Sequence, residues 1–209
     1  MELTITNATK SIRGRMVLDH ISVDLNEGIY GLTGRNASGK TMLLRAISGL
    51  IKLDEGEISL DGKVVRKDIP VLPSLGIVIE HAGLYDNRTG YENLQLLADI
   101  KKTAGHDEIV NAIERVGLDY RDSRKYRSYS LGMKQKLAIA QAIMEKPDVL
   151  LLDEPMNALD EPSVAVIRNV LLEEKARGAL IIVASHIRED IDLLSDKILY
   201  MEEGKLIEK

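Results

Sequence analysis

A glycine-rich segment over residues 34–41 constrains the fold of this chain more than any other feature. It consists of Gly34, Arg35, Asn36, Ala37, Ser38, Gly39, Lys40 and Thr41. It fits the pattern G-x-x-x-x-G-K-[ST], in which glycines let backbone N–H groups surround a phosphate. An apolar run over residues 29–33 precedes it, and Met42 begins an apolar pattern typical of a helix. A turn rich in glycine and serine could match the pattern by chance, but the flanking strand and helix favour a nucleotide site at a helix N-terminus.

Two residues of this loop carry the chemistry expected of a nucleoside triphosphate site. Lys40 is expected to contact the β- and γ-phosphates, and the Thr41 hydroxyl to bind Mg²⁺. A second element suits the same site, because four apolar residues, 149–152, are followed by Asp153 and Glu154. Carboxylates after a buried strand lie at the sheet edge where α/β proteins bind ligands. We expect Asp153 to bind Mg²⁺ and Glu154 to be the general base, although carboxylates also end ordinary strands as solvated groups.

The periodicity of apolar residues predicts an α/β core interrupted by helices. Strands are predicted at residues 3–6, 21–25, 29–33, 57–60, 63–65, 77–79, 149–152, 179–184 and 197–201. Helices are predicted at residues 92–100, 108–116 and 131–144, near 163–177 and near 187–194. The late strands are too continuously apolar for half-exposed strands, which indicates a parallel sheet covered on both faces. We predict one domain over residues 1–209, with the β subdomain and core at about 1–85 and 147–209 and a helical subdomain at about 86–146.

Composition excludes several classes of protein. The 209 residues include no cysteine, which excludes a disulfide scaffold and a thiolate metal site. The net charge of −5 disfavours non-specific nucleic-acid binding, which depends on basic patches, so we expect no nucleic-acid partner. No apolar run approaches the roughly 18 residues that span a bilayer. The first ten residues lack the order of a signal peptide, so we expect a cytoplasmic protein.

Further motifs resemble those of the ATP-binding cassette (ABC) ATPases, over essentially the whole chain. Residues 129–135, YSLGMKQ, are similar to the cassette signature in the variant form common among drug- and peptide-exporter ATPases. Residues 157–160 resemble the D-loop, and Ser185-His186 resembles the switch histidine. With the phosphate loop and the strand before Glu154, these make five motifs in the order of the family. Alone, YSLGMKQ would suit a serine-capped helix, and His186 an ordinary surface or core histidine.

The resemblance implies a P-loop NTPase (RecA-like) core with an antiparallel β subdomain and a helical insertion that carries the signature. It also implies two cassettes packed head to tail, with ATP and Mg²⁺ between the phosphate loop of one and the signature of the other. Ser130 and Gly132 would then contact the γ-phosphate across the interface, with Asp160 beside the same nucleotide and His186 on the γ-phosphate. The catalytic residues on this interpretation are Glu154, His186 and Lys40.

Three features of the sequence, at four positions, depart from the family pattern. Ile12 occupies the position of the aromatic residue that stacks on adenine, so we expect weaker adenine contact and less discrimination between ATP and GTP. Glu80 replaces the usual glutamine and could bind Mg²⁺ or a lytic water with its charge, or be a solvated loop residue. Ala37 and Arg35 replace a usual glycine and proline in the phosphate loop. Because the catalytic residues all remain, we expect hydrolysis to survive.

The resemblance favours the ATPase subunit of an exporter of drugs, peptides or lipids. Such a subunit docks on a separate transmembrane permease subunit at the inner face of the cell membrane and pairs with a second ABC ATPase subunit, expected here to be an identical copy. The loop at residues 80–94, with Leu84 and Tyr85, is the predicted contact to the permease, against the alternative of an ordinary loop. A soluble ABC ATPase acting in assembly, for example of iron–sulfur clusters, is the main alternative. A non-hydrolysing nucleotide-binding regulator is a third, which Glu154 and His186 disfavour.

Overall fold

The structure, a computed structural model, describes residues 1–79 and 83–207. Its strands are β1 (Leu3–Ile12), β2 (Arg15–Leu25), β3 (Gly28–Thr33), β4 (Glu55–Leu60), β5 (Lys63–Val64), β6 (Leu75–Val78), β7 (Val149–Asp153), β8 (Leu180–Ser185), β9 (Lys197–Glu202) and β10 (Lys205–Ile207). Its α-helices are α1 (Lys40–Ile47), α2 (Gly90–Lys101), α3 (His106–Arg115), α4 (Leu131–Ile143), α5 (Glu161–Ala176) and α6 (Arg188–Leu194). A 3₁₀ turn, Tyr126–Ser128, precedes α4.

The strands form two sheets. Four strands make an antiparallel sheet in the order β2-β1-β4-β5, and six make a larger sheet in the order β10-β9-β3-β8-β7-β6. Within the larger sheet, β9, β3, β8, β7 and β6 run parallel, and β10 pairs antiparallel with β9. The predicted combination of a parallel core and an antiparallel β subdomain is therefore confirmed.

This strand order decides where the functional residues meet. Strands β3 and β7 lie on either side of β8, and all three run in the same direction. The phosphate loop follows β3, Glu154 follows β7, and His186 follows β8. Their side chains therefore collect at one edge of the sheet, the C-terminal edge at which open α/β sheets bind ligands.

Both faces of the larger sheet are covered, as the continuous apolar runs predict. Along β7, Leu150 and Leu152 belong to a core shared with α2 to α6. Val149 and Leu151 belong to a second core, shared with α1 and the antiparallel sheet. All six residues of β8 are buried, which excludes water from both sides of the strand between the phosphate loop and Glu154.

A group of three helices, α2 to α4, lies between β6 and β7 in the chain. The start of α2 is fixed by a reciprocal pair of hydrogen bonds: the Glu92 N–H donates to Thr89 Oγ1 at 3.1 Å, and the Thr89 N–H donates to Glu92 Oε2 at 2.7 Å. The C-terminal half of α4 is mostly apolar and buried, which anchors this helix in the core that it shares with α2 and α3.

The sequence prediction was wrong in two places within the β structure. The first two strands extend over Leu3–Ile12 and Arg15–Leu25, although only residues 3–6 and 21–25 were expected in strands. Register shifts interrupt their pairing and break the alternation of apolar residues on which the prediction depended. Strand β10 was not predicted at all, because its three residues become a strand only by pairing with β9.

The longest helix of the described residues is α5, with 16 residues. Within residues 1–79 and 83–207, no helix has both the length and the apolar character needed to cross a membrane.

Candidate functional site

The phosphate loop is a tight turn between β3 and α1 in which two glycines are required by close packing. At Gly39, where φ is +111°, a Cβ atom would lie 2.5 Å from the Val17 carbonyl oxygen. At Gly34 it would lie 2.1 Å from the Met201 carbonyl oxygen. The Gly204 N–H also donates to the Ser38 carbonyl at 2.9 Å. The loop is thus packed against β2 and the β9–β10 turn. Gly39 has no side chain that could cap α1, so the first N–H groups of α1 remain available to an anion.

Two further residues of the loop are unusual: Ser38 in its unpaired hydroxyl and Ala37 in its backbone conformation. The Ser38 Oγ atom is buried and has no hydrogen-bond partner among the described residues. Buried hydroxyl groups are normally paired, so this atom indicates a ligand. Ala37 has a φ of +62°, in the left-handed region that costs an L-residue about 1–2 kcal/mol. The glycine expected here by family resemblance would be free of that cost.

We expect Ala37→Gly to raise the free energy of unfolding by about 0.5–1 kcal/mol, because the relief of strain exceeds the entropy that glycine gives the unfolded chain. Chemical denaturation of the ligand-free protein measures the difference. Ala165→Gly, at an exposed position inside α5, is the matched control and should lower the same quantity by about 0.5–1 kcal/mol. Equal losses in the two variants would show that Ala37 stores no strain.

Lys40 is only 6% exposed, and its side chain contacts the phosphate loop. The ammonium Nζ donates to the Gly34 carbonyl at 2.8 Å and to the Arg35 carbonyl at 3.2 Å. Among the described residues, this buried ammonium pairs only with neutral carbonyls, which compensate poorly for its lost hydration. Its environment is therefore suited to an anion, and its position agrees with the predicted contact to phosphate oxygens.

The structure brings together two of the three residues predicted to bind Mg²⁺, Thr41 and Asp153. The Thr41 hydroxyl donates to Asp153 Oδ2 at 2.5 Å, which joins the start of α1 to the end of β7. A hydroxyl and a carboxylate oxygen are the hard donors that Mg²⁺ prefers, so the two residues fit this ion. Glu80, the third predicted ligand, lies outside the described residues.

Glu154 is the most unusual side chain of the site. It has a φ of +49°, a conformation that L-residues adopt only where surrounding structure imposes it. Its Oε1 atom accepts hydrogen bonds from the His186 backbone N–H at 3.1 Å and lies 2.8 Å from His186 Nδ1. Its Oε2 atom is buried and has no partner among the described residues. One carboxylate oxygen is thus fixed, and the other remains available to a water molecule or substrate.

The phosphate loop, Asp153 and Glu154 line one open cleft of about 1290 Å³, whose wall does not include His186. The predicted residues in its wall are Ile12, Gly34, Arg35, Asn36, Ala37, Ser38, Gly39, Lys40, Thr41, Met42, Asp153 and Glu154. The opposite wall was not predicted: β2 contributes Arg15, Met16 and Val17, and the β9–β10 hairpin contributes Tyr200 to Gly204 and Ile207. No local motif marks these residues, because the two hairpins meet only in the folded chain.

Comparison with known proteins identifies the family. Residues 18–157 match the family described as ABC transporter. The chain belongs to the ABC transporter family. It is 51% identical, over 98% of its length and 94% of the relative, to the uncharacterized ABC transporter ATP-binding protein YybJ of Bacillus subtilis (strain 168). It is 39% identical, over 97% of its length and 67% of the relative, to the bacitracin transport ATP-binding protein BcrA of Enterococcus faecalis.

The fold is also that of an ABC cassette. The dimeric post-hydrolysis structure of the ATP-binding cassette MJ0796, bound to ADP and Pi, superposes with a TM-score of 0.89. The two chains are 21% identical, and the match covers 99% of this chain and 97% of the other. The predictions of an ABC cassette, of ATPase activity and of an ATP-binding transporter subunit that acts with a membrane component are confirmed, in preference to the soluble assembly ATPase.

The signature of this ABC cassette lies outside the cleft of its own chain. Ser130 is exposed and begins α4, where its Oγ accepts a hydrogen bond from the Met133 N–H at 3.1 Å. Gly132 packs on the turn before α5, since a Cβ atom there would lie 2.9 Å from the Ala158 carbonyl oxygen. Neither Ser130 nor Gly132 belongs to the cleft wall. The predicted helix start at Ser130 is therefore confirmed, and the structure of one chain brings neither residue to its own nucleotide cleft.

Asp160, the last residue of the D-loop in this ABC cassette, also lies outside the cleft wall. Its Oδ1 atom accepts a hydrogen bond from the Ser163 N–H at 3.1 Å, which caps α5. Hydrogen bonds from Ser163 hold the pKa of the Asp160 carboxyl below its usual range. Within one chain, Asp160 thus sets the start of α5, and its contact to nucleotide stays a prediction.

Proposed function

We propose that this ABC subunit hydrolyses Mg²⁺-bound ATP in the cleft and thereby drives an exporter of peptides or drugs from the inner face of the cell membrane. The observation that carries the proposal is the state of Glu154. One of its carboxylate oxygens is fixed by His186, the other is buried without a partner, and both lie beside the phosphate loop. A general base needs this combination of a fixed orientation and an available oxygen.

Each residue of the cleft has a distinct role in this proposal. The phosphate loop binds the phosphates through backbone N–H groups, and Lys40 supplies the positive charge that compensates the γ-phosphate. Thr41 and Asp153 would hold Mg²⁺, which when bound neutralises phosphate charge. Glu154 orients a water molecule and accepts its proton as the oxygen attacks the γ-phosphate. His186 holds the Glu154 carboxylate in place through its backbone N–H and its ring.

A second copy of the chain completes the site. Ser130 presents its hydroxyl at the N-terminus of α4, a helix end that attracts anions, but it does not line the cleft of its own chain. In a head-to-tail pair, the Ser130 hydroxyl and the Gly132 N–H of one copy would contact the γ-phosphate bound by the other. Asp160 would lie at the same interface. ATP then links the two copies, and its hydrolysis releases them.

The loop from Gly83 to Thr89 supports docking on a permease. Tyr85 is 64% exposed, although its backbone is held rigidly: its N–H donates to Asn93 Oδ1 at 2.7 Å, and its carbonyl accepts from Asn93 Nδ2 at 3.1 Å. Asn93 itself is 1% exposed. A fixed loop that presents an aromatic side chain to solvent is typical of a contact surface. The peptide or drug cargo is inferred from relatives such as the bacitracin transport protein.

Copurification from the membranes of the native host tests the permease partnership. We expect the tagged chain to recover a multi-spanning membrane protein in near-equal amount after gentle solubilisation. Tyr85→Asp should lose that partner while it still binds nucleotide, because a charge cannot be buried in an apolar contact. Leu172→Asp, an exposed apolar position on α5, is the matched control and should keep it. Recovery of soluble proteins alone would contradict the proposal and favour an assembly ATPase.

A further inference from the structure

The cleft has a part that the phosphates cannot occupy. The phosphate loop, Thr41 and Asp153 lie at one end, where β3 and β7 terminate. The remaining wall is formed by the turn between β1 and β2 on one side and by the β9–β10 hairpin on the other. A nucleotide whose phosphates lie on the loop must place its base in this remaining part. The side chains of the β1–β2 turn are therefore candidates to contact the base.

The base end of the cleft has few groups that can pack on a flat ring. Tyr200 is the aromatic residue in the described wall, and it pairs with Thr33, directly before the phosphate loop, so it lies toward the phosphate end. At the β1–β2 turn, Ile12 is 40% exposed and Met16 43% exposed. These two side chains can contact a base only through weak dispersion forces.

Arg15 is the distinctive group at this end. It is the partner of Ile12 in the β1–β2 ladder, so the two side chains project from the same face of the hairpin and both line the cleft. The Arg15 side chain is exposed and makes no hydrogen bond or ion pair with any described residue. Glu202 and Glu203 of the β9–β10 hairpin also line the cleft, and neither carboxylate pairs with Arg15. Its guanidinium therefore has no partner among the described residues and lies beside the position expected for the base.

We propose that Arg15 is the base-binding residue of the cleft and stacks its guanidinium on the purine ring beside Ile12. This inference rests on the proposed function, because it takes the phosphates to be bound by the loop. A planar guanidinium stacks on aromatic rings and is more weakly hydrated than an ammonium group. Adenine and guanine both offer an aromatic face to such stacking. The cleft therefore accepts purine nucleotides in general.

Binding of ADP, GDP and pyrophosphate to the full chain tests the proposal, with competition against fluorescent mant-ADP as the measurement. We expect Arg15→Met, which keeps an apolar stem of similar length, to weaken the binding of ADP and of GDP by about tenfold each, with pyrophosphate binding unchanged. Arg15→Lys keeps the positive charge but not the planar guanidinium, and it should still bind GDP more weakly than the unaltered chain does. Arg13→Met is the matched control, because Arg13 lies in the same turn and is exposed but does not line the cleft.

The outcomes separate this inference from the proposed function. Equal loss of pyrophosphate and nucleotide binding in Arg15→Met would show that Arg15 contacts phosphates, which overturns the inference. Unchanged binding of ADP and GDP in that variant would overturn it as well. If the unaltered chain bound neither nucleotide nor pyrophosphate, the proposed function itself would fail. A preference of the unaltered chain for ADP over GDP of more than about a hundredfold would contradict the expected purine tolerance.

Discussion

We expect Glu154→Gln to lower ATP turnover by about 10²- to 10⁴-fold while leaving nucleotide binding close to that of the unaltered protein, because a positioned general base contributes a factor of this size. The amide keeps the volume of the side chain, and its oxygen can still accept the hydrogen bond from the His186 N–H, which is 3.1 Å from Oε1 in the native chain. What is lost is the basic oxygen at the position of Oε2. Phosphate release at saturating ATP measures the effect.

The same variant should accumulate as an ATP-bound dimer on a sizing column, because ATP joins the two copies and is not consumed. Glu161→Gln is the matched control: this glutamate is exposed in the first turn of α5, seven positions along the chain, and its loss should leave turnover unchanged. Turnover of Glu154→Gln within a few-fold of the native rate would remove Glu154 from the role of base. Loss of nucleotide binding in the variant would instead show that the charge of Glu154 acts in binding and not in the chemical step alone.

The parts of the fold that were predictable depend on local sequence. Strands β7 and β8 are predictable because each is a short apolar run. The phosphate loop is predictable because its residues have a fixed spacing between a strand and a helix. The Ser130 helix start is equally local, since a serine before an amphipathic run has few other roles. In each of these cases the residues that determine the structure are neighbours in the chain.

The unpredicted parts depend on contacts between distant segments. Arg15 and Tyr200 share one cleft although 185 positions separate them, and only the folded sheets bring β2 and β9 together. The full length of β1 and β2 follows from their mutual pairing through irregular registers, which side-chain periodicity does not report. The contact of Glu154 with His186 could not be predicted from residue patterns either, and only the family resemblance suggested that the two share a site. The contact forms because β7 and β8 are neighbours in the sheet and end side by side.

Lys40→Met should weaken ATP binding by about a hundredfold or more. The ammonium is expected to make two charge-assisted contacts to phosphate oxygens, each contributing about 1.5–3 kcal/mol, and tenfold in affinity corresponds to about 1.4 kcal/mol. Methionine keeps most of the apolar stem, so the packing of the side chain against the loop is retained. Equilibrium binding of ATP to the full chain measures the loss.

Folding and binding are separable in this experiment. Native Lys40 donates to the Gly34 and Arg35 carbonyls, so the variant loses two hydrogen bonds of the ligand-free loop but also a poorly compensated buried charge. These changes oppose each other, and we expect the free energy of unfolding without ligand to stay within about 1 kcal/mol of the native value. Lys63→Met, on the short exposed strand β5, controls for the loss of one positive charge and should bind ATP normally. If Lys40→Met bound ATP within fivefold of the native chain, the loop backbone alone would hold the phosphates, and Lys40 would serve only to brace the loop.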